Sequence, residues 1–271
     1  ASSAGHGEKD VRKKIVETGD VDVMISIRSN FFYTRTVPCE LWHFDRAKPP
    51  ERKDKVLMLD TRNVYRKVTR KIYDFSPEQM QNLTAIVWLY RGQKDRFVAL
   101  VRGYLGRVCT ESEAIPATLE AFETRLADLR GRFDRLADAV AKHEKLDSGK
   151  QQAFADAVTE LREVVSPYEA DRKKLLAAIS DFVKKFAKAL PAKNDAQHSA
   201  RKAYDPITEA IRGLGKQVDL LYKLAARVAD LGAEWSADEV LADAYDRRAA
   251  GKLVKQLDEE RKAAVEQLKH A

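Results

Sequence analysis

Seven apolar residues, Leu119, Phe122, Leu126, Leu129, Phe133, Leu136 and Val140, follow one another in unbroken steps of three and four. Only an α-helix brings that spacing onto one stripe, and a stripe repeating at this period has to be buried against another helix. The pattern returns three times. Phe154, Val158, Leu161, Val165 and Tyr168 form a second run that passes Arg172 and resumes at Leu175, Ile179, Phe182 and Phe186. Tyr204, Ile207, Ile211, Leu214, Val218, Leu221, Ala225 and Val228 form a third, and Leu241, Tyr245, Val254, Leu257, Ala264 and Leu268 a looser fourth. Breaks rich in Gly, Pro, Asn and Ser fall near Leu146–Gly149, Leu190–Asn194 and Gly232–Ser236. Helices of about 30 residues reach roughly 45 Å, so the expectation is an elongated antiparallel bundle or coiled coil. Pro167 and Pro206 are expected to kink or delimit their runs. The seams close either on one another or on helices of a partner chain. Arg172 and Arg261, at would-be seam positions, set the register or mark where a partner helix enters.

The N-terminal part has a different period. Val21–Ile27 (VDVMISI), Cys39–Phe44 (CELWHF) and Lys55–Asp60 (KVLMLD) are short apolar runs bounded by polar turns, as strands require. Glu8–Thr18 carries Val11, Ile15 and Val16 at helical spacing and ends near Gly19. Helix, buried strand, then two strands joined by the charged loop Arg46–Asp54 read as the end of an α/β sheet closing in a hairpin, too little sheet to stand alone comfortably. A missing neighbour would leave an edge of Val21–Ile27 open. Ser76-Pro77-Glu78-Gln79 starts a helix: Ser76 caps, Pro77 takes the first helical position and Gln79 closes a capping box. Met80, Leu83, Val87 and Tyr90 follow before Gly92, and Phe97, Val98, Val101, Leu105 and Val108 after it. The fold class is therefore α+β. It divides into residues 1–75 as the end of an α/β domain, 76–112 as linking helices, and 113–271 as the long-helix region.

Composition narrows the function. A net charge of +7 makes polyanions plausible partners, although 42 acidic residues dilute the bias. Cys39 and Cys109 stand far apart with no metal spacing, and His6, His43, His143, His198 and His270 are isolated, so neither a disulfide framework nor a metal site is indicated. No apolar run approaches the roughly 18 residues that a membrane span needs, and the first residues lack a signal-peptide core. The reading is a soluble cytoplasmic protein. Secondary structure begins almost at Ala1, which reads as a piece of a longer polypeptide.

The segment VDVMISIRSNFFYTRTVPCELWHFDR, followed by KVLMLDTRNVYRKV, closely resembles the methylation subunits of type I restriction-modification systems just downstream of their catalytic motif. Asn30, Phe31, Phe32, Tyr33, Pro38, Cys39, Leu41, Trp42, Asp60 and Arg62 carry the match, and SPEQMQNLTAIVWLYRG fits in order and spacing. It covers roughly the first hundred residues. Such subunits are adenine-N6 DNA methyltransferases. The resemblance implies S-adenosylmethionine as cofactor in the intact enzyme, DNA and a specificity subunit as partners, and the restriction subunit as a further one.

The family's Gly-rich cofactor turn and its Asn/Asp-Pro-Pro-aromatic loop are not found in this sequence. Lys48-Pro49-Pro50-Glu51, the only Pro-Pro pair, lacks both the acceptor and the aromatic. No catalytic, cofactor-binding or metal residue is therefore assigned, and the chain alone is expected to be inactive and to bind no cofactor.

Phe31, Phe32 and Tyr33 are candidates for the pocket of an extruded base, which gains stacking energy on an aromatic face; the alternative is that they plug the sheet. Arg62, Arg66, Lys67, Arg70 and Lys71, interleaved with Tyr65 and Tyr73, either contact DNA phosphates or form a solvated face. Asp60 stands where it can orient Arg62. The resemblance implies that the helical tail, with its Leu119 to Val140 seam, docks the specificity subunit. The competing function is a non-enzymatic helical scaffold or DNA-binding accessory protein.

Overall fold

The computed structural model describes residues 6–32, 36–143, 146–235, 241 and 244–271. They fall into two compact units, Ala1–Ala99 and Leu100–Ala271.

In the first unit, α1 (His6–Glu17) stops where Gly19 adopts a φ of +76° and donates its N–H to the Val16 carbonyl at 3.1 Å. A left-handed turn of this kind is cheap only for glycine. It delivers the chain into β1 (Val21–Ile27), which lies between β2 (Cys39–Phe44) and β3 (Leu57–Asp60). β2 pairs antiparallel, with Met24 opposite Trp42, and β3 pairs parallel, with Ile25 opposite Leu59.

The two later strands thus do not pair with each other as the expected hairpin; they flank β1, which is central rather than at an edge. The reason lies in the loop between them. The buried Lys48 ammonium donates to the carbonyls of Val21, Lys53 and Lys55, at 2.6, 3.3 and 2.5 Å, and so fastens the loop over the amino end of β1. The chain then lands on the far side of the strand. β2 and β3 each pair with β1 alone, which leaves both outer edges open among the described residues.

Asp22 is fully buried although it sits in an apolar strand. Its carboxylate accepts from Arg52 at 2.7 Å, in the turn Pro50–Arg52, and from Arg91 at 2.6 and 2.9 Å, just past α2 (Pro77–Tyr90). Burying a carboxylate is costly unless it is paired and hydrogen-bonded, so these two arginines fix where loop and helix lie against the sheet. Tyr90 adds a hydrogen bond to the Lys55 carbonyl at 2.8 Å, and burial raises its pKa. The start of α2 shows the capping box legible in the sequence: Ser76 Oγ accepts from the Gln79 N–H, and Gln79 Oε1 accepts from the Ser76 N–H.

Among the described residues the second unit is a bundle of four long helices, α3 (Lys94–Ala141, which begins in the first unit), α4 (Ser148–Phe186), α5 (Asn194–Ala233) and α6 (Arg247–His270). Polar pairs give their directions. Arg162 meets Asp134 and Tyr168 meets Glu123, so α4 runs antiparallel to α3. Gln217 meets Asp171 and Arg227 meets Glu160, so α5 reverses again. Gln267 reaches Glu111 at one end of α6, which is therefore antiparallel to α3. Leu119, Phe122, Leu126, Leu129, Phe133, Leu136 and Val140 are all at most 4% exposed and share one core with the apolar runs of the other three helices. At Gly232 a Cβ would come within 2.9 Å of Leu136 and 3.2 Å of the Tyr245 ring, so glycine permits the close approach there.

Pro116, Pro167 and Pro206 lie inside α3, α4 and α5 and end none of them. Each removes a backbone hydrogen bond, about 3 kcal/mol in a helix interior. Buried side chains on both sides, Val165 and Tyr168 around Pro167 and Tyr204 and Ile207 around Pro206, offset that cost. No described helix is long and apolar enough to cross a membrane.

Asp22→Ala leaves two partly buried guanidinium groups without their counter-charge. It should destabilise the first unit by about 3 kcal/mol or more. Hydrogen-exchange mass spectrometry should then show lost protection in β1 and α2 but not in α4 and α5; unchanged protection in β1 would refute the role assigned to Asp22.

Candidate nucleic-acid interface

β1 and β3 are parallel, so their carboxyl ends open on the same side of the sheet. The residues singled out in the sequence gather there. Thr61, buried just past β3, donates both its N–H and its hydroxyl to the Ser26 carbonyl, at 2.9 and 2.7 Å, and so locks the two strand ends together. The chain continues into a small hairpin, β4 (Arg66–Lys67) and β5 (Tyr73–Asp74), in which Arg66 stands opposite Asp74.

Three contacts join this hairpin to the exit of β1. The Tyr73 N–H donates to the carbonyl of Asn30 at 3.0 Å, with Asn30 itself at a φ of 70°. The Phe31 and Phe75 rings pack at 4.8 Å. The Arg28 guanidinium lies 4.0 Å from the centre of the Tyr65 ring and 4.5 Å from that of Tyr73.

This arrangement sorts the sequence candidates. Phe31 is half-buried against Phe75, whereas Phe32 is 43% exposed. Tyr33 lies outside the described residues. Arg62 places a two-pronged grip on Asp60, at 2.9 and 2.7 Å, so Asp60 does orient it. Arg66 grips Asp74 in the same way, at 2.9 and 2.6 Å. These hydrogen bonds lower the pKa of both carboxyls, that of Asp60 to about 2. Lys67, Arg70 and Lys71 are exposed, and among the described residues no carboxylate pairs with them. The hairpin tip is therefore a free cationic face, and the segment that Tyr73 holds at Asn30 carries the exposed Phe32 ring.

Sequence reasoning missed Arg28, Asp22 and Lys48. Arg28 follows an apolar strand and is preceded by no motif. The one available signal was that Tyr65 and Tyr73 flank a turn, so that folding the turn brings the rings together.

Residues 2–103, close to the whole first unit, match the family model described as N-6 DNA methylase. The chain is 27% identical over 95 residues to the type I restriction enzyme MjaIX methylase subunit of Methanocaldococcus jannaschii, an alignment covering 35% of this chain and 17% of that subunit. It is 23% identical over 163 residues to the type I restriction enzyme HindI methylase subunit of Haemophilus influenzae, covering 53% and 36%. Over its first unit the chain is similar to N-6 DNA methylases, and it is similar to these two type I methylation subunits. It spans only 17% and 36% of the length of these two methylation subunits. No solved structure matches it.

The Asp60 carboxyl is held ionised by Arg62. A group depressed in this way keeps its pair above the ordinary value of 3.8 and loses it as the pH falls through about 2. Carboxyl NMR titration should place the Asp60 midpoint near 2, and Arg62→Gln should return it towards 3.8. A midpoint unmoved by that substitution would remove Arg62 as the cause.

Proposed function

We propose that this chain serves as the C-terminal portion of the modification subunit of a type I restriction-modification system, which transfers a methyl group from S-adenosylmethionine to N6 of adenine at a specific DNA site. The observation that carries the reading is that, in the part of the chain matching N-6 DNA methylases, the segments leaving the carboxyl ends of two parallel strands carry exposed Phe32 and the free cations Lys67, Arg70 and Lys71 and are joined through Asn30 and Tyr73. Phosphates are attracted by such cations irrespective of sequence, and an extruded base stacks on an exposed ring. Arg62 and Arg66, already held by carboxylates, shape this face.

The described residues do not fit S-adenosylmethionine itself. β1 runs out into Arg28-Ser29-Asn30 rather than a glycine turn, and the space beside it is filled by Tyr65, Tyr73 and Phe75. In this reading the cofactor is bound by strands that pair with the open edges of β2 or β3. The helical unit docks the specificity subunit through outer helix faces, because its apolar seams are consumed in its own core. The restriction subunit joins the assembled complex.

Two measurements test this. Fluorescence anisotropy with a duplex DNA should show salt-dependent binding. Replacing Lys67, Arg70 and Lys71 by Ala should weaken it at least tenfold and flatten the log–log salt slope by about 2 to 3, as expected for three lost phosphate contacts. Unaltered binding would remove the DNA-facing role of the hairpin. The chain should also co-elute with the specificity subunit, and failure of two folded partners to associate would sink the docking role.

A further inference from the structure

Arginines in the first unit that serve the fold are given carboxylates: Arg52 and Arg91 share Asp22, Arg62 holds Asp60 and Arg66 holds Asp74. Arg28 is treated differently. Its guanidinium sits in the corner formed by Tyr65 and Tyr73, whose rings meet edge-on 5.0 Å apart. Its Nε is buried with no hydrogen-bond partner, and no carboxylate among the described residues pairs with it. Among the described residues its terminal amino groups make no hydrogen bond, and they are not enclosed.

A purely structural account does not cover these facts. Stacking on two rings holds the hairpin, but an aliphatic stem would pack there without burying a donor that lacks an acceptor, which costs about 1–3 kcal/mol. What the arginine adds is a planar fork whose orientation is fixed in advance by the two rings. Such a fork fits the two oxygens of a phosphate, and fixing it beforehand reduces the ordering cost of binding. With its π faces against tyrosines, the group offers its N–H edge to a ligand.

We propose that Arg28 is a phosphodiester-binding residue, the oriented anchor of the DNA face that Lys67, Arg70 and Lys71 complete as mobile point charges. This rests on the DNA-facing reading of the hairpin and adds to it the residue that fixes where the backbone lies.

The test compares Arg28→Ala and Arg28→Lys with the parent chain in duplex-DNA anisotropy across a salt series. Near-UV circular dichroism of the tyrosines monitors the fold. Arg28→Ala should lose about tenfold in affinity and reduce the salt slope by about 1, equally for unrelated DNA sequences. Arg28→Lys keeps the charge but not the fork, and should lose about threefold to tenfold with the slope retained. If Arg28→Ala disturbs the tyrosine signal, Arg28→Lys decides. Parent-like binding by the Arg28 variants, while the Lys67/Arg70/Lys71 triple variant is weakened, overturns the anchor and leaves the proposed function standing. Parent-like binding by both overturns the two together.

Discussion

Asp22 places a carboxylate where water does not reach, and the first unit is arranged around the need to satisfy it. Removing such a group from water costs several kcal/mol, and mutual attraction offsets this only with good geometry on both oxygens. Here Oδ1 is taken by Arg52 and Oδ2 by Arg91, from segments 30 and 69 residues further along the chain. Neither the loop after β2 nor α2 can move without stranding a buried charge. Lys48 works at the same end of β1 with the opposite sign, its ammonium satisfied by three backbone carbonyls. The amino end of the central strand is thus electrostatically complete. Its carboxyl end is not, since Arg28, Lys67, Arg70 and Lys71 find no carboxylate there among the described residues. The paired charges that fix the fold lie at one end of the strand, and the cations without carboxylate partners at the other.

The ion pairs at that carboxyl end contribute orientation more than energy. Exposed pairs such as Arg62 with Asp60 are screened by water and contribute too little to hold a hairpin in place. Aromatic packing does that instead, through Phe31 on Phe75 and the tyrosine corner around Arg28. Forking Arg62 and Arg66 onto carboxylates takes two charges out of the free cationic surface. The basic run read from sequence is therefore a mixture of two kinds of cation, and only the structure separates them.

What could be read from sequence was whatever depends on local spacing. The 3-4 alternation from Leu119 to Val140 gave a buried stripe because helical geometry allows no other placement, and Ser76, Pro77 and Gln79 gave a helix start because capping is settled within four residues. The placing of β2 and β3 was not legible: it depends on Lys48 reaching carbonyls 5 to 27 residues away. Pro167 and Pro206 fail to delimit their helices for a related reason. Local rules let them kink or delimit a helix, whereas burial on either side, a property of the whole bundle, carries the helix through. Arg28 escaped notice because its significance lies in two rings some 40 residues downstream and in an acceptor that is absent.

In the helical unit the arginines that interrupt the seams explain how the register is held. Arg172, where the second run falters, pairs with Glu123, which also accepts from Tyr168 at 2.7 Å. Burial raises the pKa of Glu123, and the hydrogen bond from Tyr168 and the charge of Arg172 oppose that rise. Arg261 similarly bridges Asp219 on α5 and Asp258 on its own helix, over the Tyr222 ring. A continuous apolar stripe slides by a heptad at little cost, because the next layer looks much the same. A charged group paired across the seam does not, since sliding leaves a half-buried ion without its partner. These two sites close the seams on this chain's own helices, and any partner must therefore meet the bundle on its outer faces.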